Sequence, residues 1–514
     1  MVMEPGFMLR ALELMATIFI FVVGLIVLAI IVTYILDVTQ TRHAIRRNYP
    51  VVAHFRYVFE SLGAFFRQYF FAMDREEMPF NRAERTWVYR AAKNLDTTTA
   101  FGSTRSLAAP GTVLFVNCPF PTLGTDAAEP GEITVGPESD QPYVTRSLFN
   151  ISGMSYGALS KPAVLALSRG AKLAGCWMNT GEGGLSSYHL EGGADLVFQI
   201  GTAKYGVRDA VGKLSDDKLR EIAAHEQVKM FELKLSQGAK PGKGGMLPGI
   251  KVNEEIARIR GIEAGQDAVS PNRHPDINSV ADLLDMIERI RQVTGKPTGF
   301  KAVIGAWGWL EELFGEINRR GKASAPDFIT IDSADGGSGA APTSLMDYMG
   351  LPIQESLPLV TDKLEEYGLK ERIKVIASGK LINPAEVAWA LCVGADFVVS
   401  ARGFMFALGC IQAMQCNRNT CPTGITTHNP KLQKGLVPAD KAERVANYVR
   451  NMTYEVGVIA HSCGVREPRE LRRFHARIVT GAGQSEALDR LYAGNARKAL
   501  ERRNGDHGGG PNAI

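Results

Sequence analysis

The feature that most constrains the fold is a succession of short apolar runs, each ending in polar or glycine-rich sequence. Each run is apolar throughout rather than alternating, which is typical of parallel strands covered on both faces. The order of the runs therefore predicts a parallel sheet with helices between the strands. The eight candidate strands are residues 148–152, 175–179, 196–200, 230–235, 298–304, 328–332, 374–378 and 397–400.

Eight such strands predict a (β/α)8 barrel over residues 144–480, and a doubly wound open sheet is the alternative fold. In a (β/α)8 barrel the loops after the strands form the active-site face, so the chemistry is expected there. The stretch between the fourth and fifth strands is long for a loop. It predicts a functional insertion.

The N-terminal part of the chain predicts one transmembrane helix at residues 15–36, after a short tail at 1–14. No charge interrupts this stretch, which is long enough to cross a hydrocarbon core of roughly 30 Å. A buried core helix and a cleaved signal peptide are the alternatives. The first normally keeps a polar stripe, and the second normally has a shorter apolar region.

The charges beside this helix predict its orientation. Arg42, His43, Arg46 and Arg47 follow it, whereas only Arg10 and two glutamates precede it. By the positive-inside rule the larger, C-terminal part lies in the cytoplasm. We therefore expect a single-pass protein of the cell inner membrane with a cytoplasmic catalytic domain.

Three further segments flank the barrel. Residues 37–80 mix aromatic residues with arginines and predict a juxtamembrane amphipathic segment, either on the membrane surface or against the barrel. Residues 81–143 predict a small lead-in lobe with a strand near 112–116. Residues 481–514 predict a C-terminal helix and a disordered tail.

The overall composition excludes some functions. The chain has 58 basic and 54 acidic residues, a balance that does not require a polyanionic partner, so nucleic-acid binding is not expected. Seven cysteines are too few and too scattered for a secreted disulfide scaffold. A reducing compartment fits better.

The sharpest chemical signal is the run GCIQAMQCNRNTCPTG, which contains Cys410, Cys416 and Cys421. Soft thiolates at this spacing suit an iron–sulfur cluster or zinc. Three ligands would suffice for a three-iron cluster, a zinc site would need a fourth ligand such as His428, and unligated packing cysteines are the third alternative. The isolated cysteines are expected to be small buried hydrophobic residues: Cys118, Cys176, Cys392 and Cys463.

The last two strands and the fifth carry weaker signals. VIASGK and SARGF follow strands seven and eight, where loops commonly hold a phosphate, and Gly379 and Gly403 would allow close approach. They are also ordinary turn residues. Lys301 lies inside the apolar run TGFKAVIG and needs a negative partner, such as the edge of a reduced flavin, unless it reaches solvent.

Taken together, five motifs resemble the central FMN-binding domain of glutamate synthase, in the same order. They are MSYGALS, MNTGEGG, GAKPGKGGMLPG, DGGSGAAP and the cysteine run, and the resemblance covers residues 144–427. The preceding RNYPVVAHFRY and FNRAERTWVY resemble the stand-alone members of this family.

The resemblance implies a (β/α)8 barrel with FMN at the carboxyl ends of the strands and a [3Fe-4S] cluster beside it. Cys410, Cys416 and Cys421 would then be the cluster ligands. Lys301 and Glu182 would be catalytic, although Glu182 is as well suited to a structural or capping role. The flavin contacts would be Met154, Ser155, Asn179, Gln199, Lys301, Asp335, Gly336, Gly337, Gly379 and Gly403.

The implied reaction is FMN-dependent reductive amination of 2-oxoglutarate, through 2-iminoglutarate, to L-glutamate. Gln237, Lys240 and Arg260 would bind the two carboxylates, for which an arginine fork and amide donors are well suited. Electrons would enter through the cluster from a ferredoxin or a separate reductase subunit. Nitrogen would come from ammonia, an amine, or a separate amidotransferase subunit.

Departures from the family pattern leave alternatives open. Val2 and the membrane helix stand where an N-terminal cysteine nucleophile would be, and no strand–turn–helix G-x-G-x-x-G marks a dinucleotide site. Lys243, Met246 and Ala334 replace residues usual in the family motifs. The alternatives are an amine-using enzyme such as N-methylglutamate synthase, and a membrane-tethered flavin and iron–sulfur electron-transfer protein.

Overall fold

The structure is a computed structural model that describes residues 5–66, 70, 72–481 and 483–492. It divides into two compact units, Met1–Ala83 and Glu84–Ile514. The α-helices are α1 (Pro5–Thr39), α2 (Ala44–Asn48), α3 (Ala53–Phe66), α4 (Arg82–Ala92), α5 (Lys161–Ala174), α6 (Ser187–Glu191), α7 (Asp216–Ala223), α8 (Glu254–Arg260), α9 (Val280–Thr294), α10 (Gly308–Arg320), α11 (Thr343–Met346), α12 (Ile353–Glu366), α13 (Pro384–Val393), α14 (Arg402–Leu408), α15 (Pro430–Gln433) and α16 (Pro438–Ser462).

The strands are short, and eight of them belong to one sheet. They are β1 (Val113–Phe115), β2 (Ile133–Val135), β3 (Tyr143–Thr145), β4 (Phe149–Ile151), β5 (Met178–Asn179), β6 (Leu196–Ile200), β7 (Val228–Lys234), β8 (Met246–Leu247), β9 (Ala268–Val269), β10 (Thr298–Ala302), β11 (Phe328–Asp332), β12 (Lys374–Ser378), β13 (Phe397–Ser400), β14 (Ala476–Gly481) and β15 (Gln484–Ala487).

The N-terminal unit begins with α1, which is longer at both ends than the predicted span at 15–36. Its part Met8–Thr39 is long and apolar enough to cross a membrane. Asp37, near the end of α1, accepts a hydrogen bond from the backbone N–H of Val51 at 2.9 Å and pairs with His54 Nε2 at 2.9 Å. These contacts join the end of α1 to the start of α3.

The (β/α)8 barrel is confirmed. Strands β4, β5, β6, β7, β10, β11, β12 and β13 form a closed parallel barrel in chain order, and β13 pairs with β4. All eight predicted strands are present, and the bounds of β6, β11, β12 and β13 are those predicted. The apolar character of each run follows from this arrangement, because helices cover the outside and side chains fill the inside.

The barrel interior changes in polarity along its axis. At the amino ends of the strands lies an apolar cluster that includes Trp177, Met230, Phe328 and Phe397. Because side chains alternate along a strand, Glu232 and Lys234 of β7 lie on the same inward face as Met230. The apolar layer therefore gives way to polar and then charged side chains toward the carboxyl ends.

The lead-in lobe closes the amino end of the barrel. Strands β2 and β3 form an antiparallel pair, and Val135 and Tyr143 from this pair belong to the apolar cluster inside the barrel. The hydroxyl of Tyr143 donates to Asp195 at 3.0 Å. The lobe therefore acts as a plug that completes the core.

The end of the described chain differs from the prediction. Residues 476–487 form β14 and β15, which pair with each other and, through β14, with β1 of the lead-in lobe. Residues 488–492 are helical, so the chain adds these two strands to the sheet before the C-terminal helix begins. The predicted tail at 493–514 lies outside the described residues.

The insertion between β7 and β10 carries the residues that cover the barrel. The short pair β8–β9, helix α8 and helix α9 lie in it. Helix α8 begins at Asn253, whose side chain accepts from the N–H of Ile256 at 2.9 Å, and ends at Gly261 with a left-handed φ of 63°. This placement brings Arg260, the last residue of α8, to the mouth of the barrel.

Candidate active site

A cavity of about 190 Å³ opens at the carboxyl ends of the barrel strands. This is the face at which (β/α)8 barrels carry their active sites. Loops after most of the barrel strands and the insertion contribute to its wall. Predicted site residues on the wall are Met154, Ser155, Glu182, Gln199, Gln237, Lys240, Arg260, Lys301, Gly337, Gly379 and Cys416.

The other predicted site residues lie behind or below this wall. Asn179 lines a smaller cavity of about 10 Å³ just inside the barrel. Gly403 packs against Tyr448, where a β-carbon would meet the tyrosine hydroxyl, so its lack of a side chain serves helix packing. The remaining residues away from the wall are Asp335, Gly336, Cys410 and Cys421.

Below the cavity a buried carboxylate organises a layer of neutral polar groups. Glu232 is 3% exposed. It accepts hydrogen bonds from Asn179 Nδ2 at 2.8 Å, Gln199 Nε2 at 2.6 Å and Thr330 Oγ1 at 2.6 Å. An ionised carboxylate only accepts, so both amides present their NH₂ groups to it and their oxygens elsewhere.

Lys301 is buried on β10 and pairs with Asp332 at the end of β11, with 3.2 Å between Nζ and Oδ2. Asp332 also accepts from the N–H of Gly238 at 2.8 Å and from Ser378 Oγ at 2.7 Å. Burial by itself raises the pKa of Asp332, but Lys301 and these hydrogen bonds outweigh it and lower the pKa. Lys301 thus has a protein counter-ion that the sequence analysis did not identify.

Three cations surround Glu182 on another side of the cavity. Lys234 Nζ lies 3.2 Å from Glu182 Oε2 and also donates to Gln237 Oε1. Lys240 and Arg260 are 4% and 5% exposed. Gly245 lies so close that a β-carbon there would clash with the Glu182 carboxylate.

Charge and burial compete in this cluster. Burial would raise the pKa of Glu182, but Lys234, Lys240 and Arg260 lower it, so the group is a carboxylate at neutral pH. Burial lowers the pKa of Lys240 to about 8, against the opposing effect of Glu182. Three positive charges against one carboxylate leave a site that attracts anions.

The cysteine loop contributes another part of the cavity wall, through Cys416. Arg402 Nη1 lies 3.9 Å from Cys416 Sγ, and Lys251 Nζ donates to the Cys416 carbonyl at 3.3 Å. Burial lowers the pKa of Lys251 to about 8, while the Cys416 and Cys421 thiols act to raise it. Burial raises the pKa of Cys410 to about 11, and the charges of the other two thiols add to this.

The cysteine loop supplies three thiols, a donor set that suits an iron–sulfur cluster. Within the described ranges, no group of three or more His, Cys, Asp or Glu side chains converges on one metal position. His428, the fourth ligand considered for zinc, has its Nε2 2.8 Å from the Gly157 carbonyl. Thiolates around an iron–sulfur cluster bind separate iron atoms, and the cations beside Cys416 suit such an anionic group.

The loops after β12 and β13 fit a phosphate group. Lys380 lines this part of the cavity, and its Nζ pairs with Asp335 at 2.8 Å. Gly379 has a φ of +109°, and a β-carbon there would clash with Ser333, so only glycine allows this turn. Lys301 lies on the wall of the same cavity, so the residues present fit FMN, with a cation for its phosphate and one for its ring edge.

Several site residues were missed by the sequence analysis. Glu232, Lys234 and Asp332 lie inside strands, and Lys251 and Arg402 beside the cysteine loop. Lys301 was identified as a charge within an apolar run. The run FELKLS at residues 231–236 contains two such charges, Glu232 and Lys234, so the same pattern predicts them as site residues.

The fold defines a (β/α)8 barrel with a cavity lined by cations at the carboxyl ends of the strands. The family described as the conserved region in glutamate synthase matches residues 123–466. The chain therefore belongs to the glutamate synthase family.

Two relatives found by sequence similarity, YerD and an archaeal-type glutamate synthase, agree with this assignment. The glutamate synthase large subunit-like protein YerD of Bacillus subtilis is 40% identical over 92% of this chain and 97% of that protein. The archaeal-type glutamate synthase (NADPH) of Thermotoga maritima is 36% identical over 65% of this chain, but only 62% of its own length is matched. The flavin-binding domain of baker's yeast flavocytochrome b2 is 14% identical, with a TM-score of 0.44 over 85% of this chain and 86% of that one.

Proposed function

We propose that the protein is an FMN-dependent enzyme that reduces 2-iminoglutarate, formed from 2-oxoglutarate and ammonia or an amine, to glutamate or an N-substituted glutamate. One observation carries the proposal: Lys234, Lys240 and Arg260 surround the same end of a cavity whose residues also fit FMN. A five-carbon dicarboxylate matches a pocket with more cations than carboxylates.

The substrate carboxylates would be held by Arg260 and Lys240, with Gln237 donating a neutral hydrogen bond. Arg260 provides a planar fork for one carboxylate, and Lys240 a point charge for the other. Because both side chains are nearly fully buried, water screens their attraction to the substrate only weakly. The substrate is thereby fixed before the reaction, which lowers the entropic part of the barrier.

Glu182 would bind the nitrogen. It is ionised, it lies among cations and it faces the same cavity as the dicarboxylate site. Although Glu182 is paired with Lys234, its second carboxylate oxygen can also accept a hydrogen bond from a cation of the substrate. We assign it to the ammonium or iminium group, which it would orient and stabilise by a charge-assisted hydrogen bond.

When bound, FMN supplies the hydride that reduces the imine carbon. Lys301 would stabilise negative charge at the flavin edge, and its pairing with Asp332 holds the ammonium in place. Cys410, Cys416 and Cys421 would hold a [3Fe-4S] cluster, which supplies single electrons from a ferredoxin or a reductase subunit. An amidotransferase subunit would be an additional source of ammonia.

We propose further that α1 anchors the protein in the cell inner membrane, with the barrel in the cytoplasm. The apolar stretch Met8–Thr39 and the arginines that follow it support this orientation. Extraction of membranes with alkaline carbonate tests it. Release of the full-length protein into the supernatant would refute a transmembrane anchor.

A second candidate uses a different nitrogen donor. Met246, Leu247 and Pro248 contribute apolar surface to the cavity that contains Glu182. Such a wall favours an alkylamine over ammonia, because it would contact the alkyl group. An electron-transfer role without substrate turnover is disfavoured, since a relay has no need for a dicarboxylate site.

The test is anaerobic reoxidation of the reduced, full-length protein in detergent. We expect 2-oxoglutarate with ammonium or methylammonium to reoxidise the flavin and to yield the corresponding amino acid in equal amounts. Lys240→Gln should abolish this at ordinary substrate concentrations, whereas Lys243→Gln, an exposed cation in the same loop, should not. Flavin that is bound but never reoxidised would refute the proposed reaction.

A further inference from the structure

Lys251 is a buried cation whose ammonium group contacts main-chain carbonyls. It is 2% exposed. Its Nζ donates to two main-chain carbonyls, Ala158 at 2.6 Å and Cys416 at 3.3 Å. Within the part of the chain that the structure describes, no carboxylate pairs with it. A buried ammonium is costly unless a negative charge lies nearby, so its usual counter-ion is missing.

Arg402 is a second such cation, on the other side of Cys416. Its Nη1 lies 3.9 Å from Cys416 Sγ and its Nη2 donates to the Ser338 carbonyl. A β-carbon at Gly337 would lie 2.6 Å from Arg402 Nε, so this glycine makes room for the guanidinium. In the described residues this arginine also has no carboxylate partner.

Three other cations of the cavity differ in this respect. Lys234 pairs with Glu182 at 3.2 Å, Lys301 with Asp332 at 3.2 Å and Lys380 with Asp335 at 2.8 Å. Each lysine of these pairs has its negative charge within the protein. Lys251 and Arg402 instead share one neighbour, Cys416, whose thiol is the one of the three that lies on the cavity wall.

We propose that Lys251 and Arg402 are the counter-cations of an iron–sulfur cluster held by Cys410, Cys416 and Cys421, and that they set its reduction potential. Reduction adds negative charge to the cluster, and nearby cations stabilise the more negative form. They therefore raise the potential, and the buried Lys251 does so with little screening by water. The inference rests on the cluster of the proposed function.

The test is a redox titration of the cluster in the full-length protein, followed by electron paramagnetic resonance and by iron analysis. Lys251→Met and Arg402→Met remove the charges, whereas Lys251→Arg and Arg402→Lys keep them. Arg418→Gln is the matched control, because Arg418 lies in the cysteine loop, between Cys416 and Cys421, but is exposed to solvent.

Each charge-removing variant should lower the equilibrium constant for cluster reduction about tenfold, which is 59 mV for a one-electron couple. The charge-keeping variants should stay within about threefold of the wild type, and the control within about twofold. Loss of iron from the methionine variants alone would also support a counter-ion role.

Two outcomes would overturn the inference while leaving the cluster in place. One is a potential that is unchanged in both methionine variants. The other is an equal loss of potential or iron in the charge-keeping and charge-removing variants, which would mean that shape rather than charge matters. Wild-type protein that binds FMN but no iron would instead refute the cluster itself, and with it this inference.

Discussion

The two ends of the barrel interior are built from the same strands but differ in chemistry. On β7 the inward residue Met230 belongs to the apolar cluster, and the next two inward residues, Glu232 and Lys234, are charged. The amino end packs against Trp177 and Phe397, whereas the carboxyl end carries ion pairs. Stability and chemistry are therefore placed at opposite ends of one structural element.

The difference shows how a charged pocket can exist in a closed barrel. Burying ions is costly, and isolated buried pairs contribute little net stability. The apolar layer and its plug offset that cost, since close packing of large side chains dominates core energetics. Substitutions at the two ends should therefore have separable effects, on stability at one end and on binding at the other.

The largest expected effect is at the amino end. Trp177 is 1% exposed and belongs to the apolar cluster. Trp177→Ala should reduce the free energy of unfolding by about 3–5 kcal/mol, because it removes a large side chain and leaves a cavity. Denaturant unfolding of the membrane-free or detergent-bound protein measures this. The protein that remains folded should bind 2-oxoglutarate with an affinity within about twofold of the wild type. A large loss of affinity would contradict the prediction that stability and binding depend on opposite ends of the barrel.

The next effect is at the carboxyl end, where Arg260→Met should weaken 2-oxoglutarate binding about a hundredfold. Removing one partner of a buried charged contact commonly costs about 2–5 kcal/mol. Arg258→Met is the matched control, because Arg258 lies on the same helix but is exposed. Titration calorimetry of 2-oxoglutarate with the oxidised protein compares the two variants. Equal effects of both would argue against a direct contact between Arg260 and the substrate.

A third effect depends on pH. Burial lowers the pKa of Lys240 to about 8, so its charge is present below pH 8 and is lost above it. The dissociation constant of 2-oxoglutarate should be constant near pH 7 and rise up to about tenfold per pH unit above 8. Lys240→Arg should remove this rise, because arginine stays protonated. A rise that persists in Lys240→Arg would assign the titration to another group.

The barrel strands were predictable because each run is apolar throughout and ends in polar sequence. This signal is local, and it placed Leu196–Ile200 and Phe328–Asp332 at their observed bounds. The plug was not predictable in the same way, because the role of Val135 and Tyr143 depends on where a distant hairpin docks. Pairing of β14 with β1 joins residues more than 300 positions apart, for which one sequence contains no direct signal.

The same limit applies to the candidate site. The cavity residues that carry family motifs, such as Glu182 and Arg260, were found from their sequence context. The ion-pair partners of Glu182 and Lys301 were not found, because Lys234 and Asp332 meet them only when the barrel closes. Sequence thus predicted candidate binding residues that lie on one cavity, while the structure showed the counter-ions that contact two of them.

The smallest expected effect concerns Glu386, a half-buried carboxyl group in the helical layer around the barrel strands, and it shows the effect of the cations at the carboxyl end. Glu386 on α13 accepts from the N–H of Ile382 at 2.7 Å. Burial raises its pKa to about 8, with Glu84 acting in the same direction, whereas the pKa of Glu182 is lowered by its cations.

A raised folded-state pKa means that the folded protein keeps a proton that the unfolded chain releases near pH 4.5. Stability from this group is therefore present at low pH and is lost as pH rises toward 8, by up to about 1.4 kcal/mol per unit. Glu386→Gln keeps an acceptor for the Ile382 N–H but does not titrate. Relative to the wild type it should gain about 1 kcal/mol in unfolding free energy between pH 6 and 7. The exposed Glu312→Gln should show no such gain, and a pH-independent difference for Glu386→Gln would show that the carboxyl is already ionised in the folded protein.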